Sequence, residues 1–217
     1  MTTIIEKFIQ SKFSNPEGKP VNPGNYGEPK NFARELGHFL RDLQKLDRTE
    51  APTPSFDNLF AGSDLVFFEA EIQELLNGYK EIVPKDFMMV NFELAIKRPM
   101  RKSAWLHGDF TPKNILVKDG RLSGVLASEK AVVGDPACDL AVAWSLFDSR
   151  VRKIFFGAAE ANEALIERAR MHALRQALKT YNSADIDEQI MSRDALSEIL
   201  EDLGYKGQDE LFDDQIV

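Results

Sequence analysis

The chain has 217 residues, 43% hydrophobic and 29% charged, a balance that fits one folded domain and excludes disordered and fibrous classes. A formal charge of −8 with a pI near 5.0 excludes a nucleic-acid surface, which needs clustered Lys and Arg, and suits a cationic small molecule better. Cys138 is the only cysteine and no segment approaches the roughly twenty apolar residues of a membrane helix, so the reading is a reducing cytoplasm, no disulfide and no membrane.

Met1 to Phe13 alternate apolar and polar positions and carry Glu6, unlike the unbroken apolar stretch of a signal peptide. Ser14 to Lys30, with four prolines and three glycines, predicts no regular element, so residues 1–30 read as an extension and linker. From Asn31 to Leu46, Phe32, Leu36, Phe39, Leu40 and Leu43 recur at helical spacing. A second helix is predicted from Ser63 or Asp64 to Gly78, and a third from Lys85 to Lys97, closed by Pro99.

Between Ala104 and Leu126 the period changes. Trp105 and Leu106 form a short apolar run, and Ile115 to Val117 and Leu122 to Leu126 flank Asp119-Gly120. That dipeptide predicts a hairpin, because a type I′ turn needs positive φ at both central positions. Asp135 stands as N-cap before Pro136, predicting a helix that continues through Leu140, Trp144 and Leu146. Ala158 to Tyr181 reads as one long helix and Ile186 to Leu203 as one or two more, with residues 205–217 an acidic, frayed tail. The fold class is therefore mainly α with a small antiparallel β element.

The stretch that carries chemistry is His107-Gly108-Asp109-Phe110-Thr111-Pro112-Lys113-Asn114. In phosphoryl transfer a carboxylate meets the attacking hydroxyl, and a side-chain carbonyl a few residues on holds Mg²⁺. Asp109 and Asn114 have that spacing, as do the Asp and Asn of the protein-kinase H-R-D-x-x-x-x-N loop. Asp and Asn also serve as turn formers, His as a structural hydrogen-bonding residue, and Asp135 as a plain helix cap.

The run HGDFTPKNILVKDGRLSGV followed by GDPACDLAVAW resembles the catalytic core of the aminoglycoside phosphotransferase and choline kinase family of small-molecule kinases. The resemblance implies a protein-kinase-like C-lobe over residues 31–204, with Asp109 as catalytic base, His107 bracing the catalytic loop, Asn114 as a Mg²⁺ ligand, and Asp135 and Asp139 as scaffolding. ATP and Mg²⁺ are the cofactors it implies. Two departures stand against it. Ala127 occupies the place of the family's metal-binding aspartate, with Glu129 a weak substitute two residues on and Lys130 adding positive charge beside it. The residues before Asn31 are too few for the family's nucleotide-gripping N-lobe, and no Walker-type GxxxxGK[ST] replaces it.

Those departures predict a truncated, inactive O-phosphotransferase lobe kept as a binding or interaction module. The alternative is half of an active ATP- and Mg²⁺-dependent kinase completed by a separately encoded N-lobe, and a helical domain with no retained ligand also stays open. Ile4, Ile5, Phe8, Ile9 and Phe13 would be stranded in water without cover, which predicts a homodimer or a fold-back of residues 1–13.

Overall fold

The apolar residues that recur at helical spacing are the ones the fold buries. A computed structural model describes residues 3–49, 51–98 and 102–206. Helix α1 (Ile4–Lys12) opens with a capping box, in which the Glu6 amide donates to Thr3 Oγ1 at 3.2 Å and the Thr3 amide to Glu6 Oε2 at 2.6 Å. It folds back on the body and buries Ile5, Phe8 and Ile9, each worth roughly 1.5–3 kcal/mol of transfer free energy. The Phe8 and Phe13 rings lie 5.3 and 5.9 Å from Phe39 of α2 (Pro29–Gln44). Of the two covers predicted for these residues, the chain itself supplies one.

The stretch expected to hold no regular element does hold one. Strand β1 (Lys19–Pro20) pairs antiparallel with β3 (Ile115–Lys118), Lys19 opposite Val117 and Pro20 opposite Leu116. Proline is tolerated there because β1 is an edge strand and needs no further ladder donor. Strand β4 (Arg121–Val125) completes this sheet, and Asp119 and Gly120 take φ of 52° and 75° at the hairpin turn, as its sequence predicts. The Trp105-Leu106 run belongs to a second sheet: β2 (Ala104–Leu106) pairs antiparallel with β5 (Val132–Gly134).

Phe32, Leu36, Phe39, Leu40 and Leu43 of α2 all turn inward. Gly37 lets α2 cross α7 (Ser149–Ala158) closely, since a Cβ there would lie 2.6 Å from the Phe155 carbonyl oxygen. The predicted second helix begins as a 3₁₀ turn at Leu65–Phe68 and becomes α3 (Glu69–Gly78), and the third is α4 (Lys85–Ile96). The helix expected to run past Trp144 is two single turns, α5 (Ala137–Leu140) and α6 (Ala143–Leu146). The helix expected from Ala158 to Tyr181 starts later, as α8 (Glu163–Thr180), because the chain reverses at Glu160 with φ of 57°. Helix α9 (Ile186–Asp202) ends before Gly204, whose φ is 68°. The expected tail lies, from residue 207 on, outside the described residues. No described helix is long and apolar enough to cross a membrane.

Candidate active site

Strand β2 delivers the chain directly into His107, and burial then fixes the loop. His107 is fully buried, and its ring lies between two backbone groups. Nδ1 accepts from the Asp109 amide at 3.3 Å, which leaves Nε2–H to donate to the Leu126 carbonyl at 2.6 Å. The Leu126 amide in turn donates to the Asn114 carbonyl at 2.8 Å. Leu126, at the exit of β4, is thus held through both its amide and its carbonyl, which ties the residue before Ala127 to both ends of the loop.

Asp139, at the first turn of α5, supplies the loop's second anchor. Its carboxylate accepts from the His107 amide at 2.5 Å and the Gly108 amide at 3.1 Å. Burial pushes this carboxyl up to about 6, against the opposing pull of the His107 ring and the two amides. Gly108 takes φ of 79°, and a Cβ there would collide with the Lys130 carbonyl, so the loop tolerates no side chain at this point. Pro136, not Asp135 as expected, takes the N-cap position of α5; Asp135 accepts from the Ala137 amide at 3.1 Å and is clasped by Arg168 of α8 at 2.7 and 3.1 Å. Both side chains are buried, so each charge depends on the other.

The outward-facing positions are arranged differently. The Asp109 side chain is 37% exposed, and its Oδ2 meets Lys130 Nζ at 3.2 Å. Asn114 Nδ2 donates to the Asp109 carbonyl at 2.7 Å, which spends its amide on the turn and leaves its side-chain oxygen as a free acceptor. Ala127 and Glu129 are exposed. Lys113 is drawn away to α9, its Nζ 2.9 Å from Glu188 Oε1. Two depressions on the surface of the described residues are lined by other side chains, not by Asp109, Asn114 or Ala127.

Two partners in this region carry no local signal in the sequence. Arg168 lies 33 residues from Asp135, with no local signal to connect them. The Cys138–His172 pair was also unseen, with Sγ 3.6 Å from Nε2. Burial pushes that thiol up and the imidazole down to about 4, so both are neutral near pH 7, and the pair packs rather than reacts.

The Mg²⁺ implied by the sequence resemblance finds a poor donor set here. Ala127 offers a methyl group, Asp109 is paired with an ammonium, and the remaining oxygen is the neutral amide of Asn114. Among the described residues no group of three or more His, Cys, Asp or Glu side chains could hold a metal ion.

A buried strand feeding an Asp–Asn loop, a hairpin behind it and a helical body around it define a kinase-like catalytic lobe. Residues 16–178 match the profile described as the phosphotransferase enzyme family, and the chain belongs to that family. No curated protein sequence matches the chain. Among solved structures it is similar to the GDP complex of wild-type aminoglycoside 2′-phosphotransferase-IIIa, with a TM-score of 0.59 at 15% identity over 87% of this chain and 69% of that one. It is also similar to the GDP and kanamycin complex of APH(2″)-IIIa, with a TM-score of 0.57 at 14% identity over 87% and 69%. A third is the macrolide 2′-phosphotransferase MphH from Brachybacterium faecium, with a TM-score of 0.50 at 19% identity over 84% and 68%. At these identities the likeness establishes the fold.

Proposed function

We propose that this chain is a phosphotransferase-family lobe that no longer transfers phosphate and serves as a binding or interaction module. The observation that carries the reading is the Lys130 ammonium on Asp109, 3.2 Å away, beside Ala127. In an active site of this kind the base carboxylate must accept the acceptor's hydroxyl proton, and a metal must neutralise charge on the phosphates. Here a lysine from the chain itself covers that carboxylate, and Ala127, at the position the sequence resemblance gives to a metal-binding aspartate, has no oxygen to offer a metal. A fixed ammonium balances the charge of Asp109 but cannot bridge two phosphate oxygens as Mg²⁺ does.

What is retained is the scaffold, with His107, Asp139, Asp135 and Arg168 all buried and hydrogen-bonded. A chain of net charge −8 suits a cationic ligand or a basic partner at such a module. The second reading, a half-kinase completed by a separate nucleotide-gripping lobe, is favoured by one observation: Asp109 and Asn114 keep their loop geometry, joined at 2.7 Å.

Calorimetry with Mg-ATP and a radiolabelled transfer assay over a panel of aminoglycosides and other hydroxylated amines separate the two. The module reading expects very weak nucleotide binding and no transfer. Turnover that Asp109→Ala abolishes would replace it with the enzymatic reading.

A further inference from the structure

At the opposite end of the β2–β5 ladder from Asp109 the surface opens into a cavity of about 560 Å³, a volume typical of sites for small organic ligands. Its lining includes the apolar Leu46, Ala104 and Leu165. Around it stand Arg41 and Lys45 of α2, Arg48 of the following loop, Lys102 at the foot of β2 and Arg168 of α8. Gathering cations from separate elements is unfavourable unless something neutralises them.

The carboxylates present do this only in part. Arg168 is matched by Asp135, and Arg41 by Asp42 at 2.8 Å. Glu160 serves Lys45 at 3.3 Å. Asp47, though it lines the cavity, is turned to its own loop, where its Oδ1 accepts from the Thr49 amide at 3.0 Å and hydroxyl at 2.9 Å. Those bonds, with smaller help from the Arg48 amide and the Arg48 charge, hold its carboxyl below the usual range.

That leaves Lys102 without an ion pair and Arg48 with only the partial balance of Asp47. Arg48 is steadied by the Ser103 carbonyl at 2.6 Å, which accepts from one Nη and leaves the rest of the guanidinium fork free. Lys102 is exposed and makes no ion pair among the described residues. In a protein of net charge −8 this is a local inversion of sign, beside the apolar Leu46, Ala104 and Leu165.

We propose that this cavity binds a small organic phosphate, its phosphate on Arg48 and Lys102 and its body against Leu46, Ala104 and Leu165. The assignment does not depend on the reading of the Asp109 loop. The phosphate group is the shared chemistry, and its source is distinguished by comparing phenyl phosphate with inorganic phosphate.

Calorimetric titration of the full chain with each probe, at low and at raised ionic strength, tests the site. Saturable binding is expected, weaker at raised salt, and lowered by about tenfold or more in the Arg48→Glu/Lys102→Glu variant. Both side chains are exposed, so the variant should fold, and its melting curve checks this; Lys102→Ala, which disturbs no pair, should weaken binding as well. Tighter binding of phenyl phosphate assigns the site to organic phosphates, and equal binding assigns it to free phosphate. Absence of saturable binding, binding unchanged in both variants, or binding lost in Asp109→Ala instead would overturn the proposal. The last outcome would move the anion to the candidate active site.

Discussion

On its inner side the loop from His107 to Asn114 is held by the buried Asp139 and by the Leu126 carbonyl, and the next turn of chain carries the buried Asp135–Arg168 pair. On its outer side stand Asp109 and Lys130, each more than a third exposed, beside Ala127. Inner-side charges were removed from water and so must be matched by partners, which makes each of them costly to change. Outer-side groups keep much of their hydration, so they can change with little cost to the fold and with large consequences for chemistry. A lobe can in this way lose the donors of a metal centre while the loop that presented them stays intact.

The largest effect expected from breaking this contrast is on stability at its deepest point. Arg168→Met leaves Asp135 buried without its partner and should cost about 3–5 kcal/mol in urea unfolding. A loss below about 1 kcal/mol would mean that water reaches Asp135, and the inner side would not be the dry layer described. Asp139→Asn keeps the volume but turns an amide NH₂ toward one of two backbone donors, for a loss of about 1–3 kcal/mol at pH 7.

The pH dependence of that variant sharpens the point. Asp139 titrates near 6 in the fold against an ordinary value of 3.8. Between those values the folded chain holds a proton that the unfolded chain releases, so this group's contribution to stability declines as pH rises from about 4 to 6. The gap between wild type and Asp139→Asn should therefore narrow over that interval. A gap that stays constant would place the carboxyl in water.

His172 acts in the opposite sense. It is pushed down to about 4 from 6.5, chiefly by burial. The unfolded chain takes up this proton first, so stability is lost as pH falls from about 6.5 to 4. His172→Gln should flatten that part of the profile, measured as urea midpoints against pH. An unchanged slope would show that the imidazole is not the group responsible.

The smallest stability effect belongs to the outer side. Lys130→Ala removes an ion pair whose members are 36% and 37% exposed, and should shift unfolding by less than about 1 kcal/mol after allowance for solvent screening. A larger loss would mean that the lysine holds the loop as well as covering its carboxylate.

What was legible in the sequence followed from local rules. The hairpin at Asp119-Gly120 is set by two positive φ angles, and α2 by apolar spacing along a single helix face. The loop was legible because its residue types and their spacing are themselves the chemistry. What escaped depends on distant partners. Strand β1 has two residues and is defined only by the β3 edge beside it, and β5 has three and is defined by β2. Helix α7 went unread even though Asp148 caps it, accepting from Val151 at 2.8 Å, because its cover is α2, more than a hundred residues earlier in the chain. Lys130 was noticed as a nearby charge, but its contact with Asp109 needs Gly108 to bring the two segments together.

The central claim is that a lysine and a methyl group stand where a metal centre would otherwise be built. Titrating the chain with Mn²⁺ and following the free ion by electron paramagnetic resonance tests it without relying on turnover. The account predicts no binding tighter than millimolar in the wild-type chain, with a measurable gain in Ala127→Asp that grows when Lys130→Ala is added. Micromolar Mn²⁺ binding by the wild-type chain, lost in Asp109→Ala or Asn114→Ala, would contradict it.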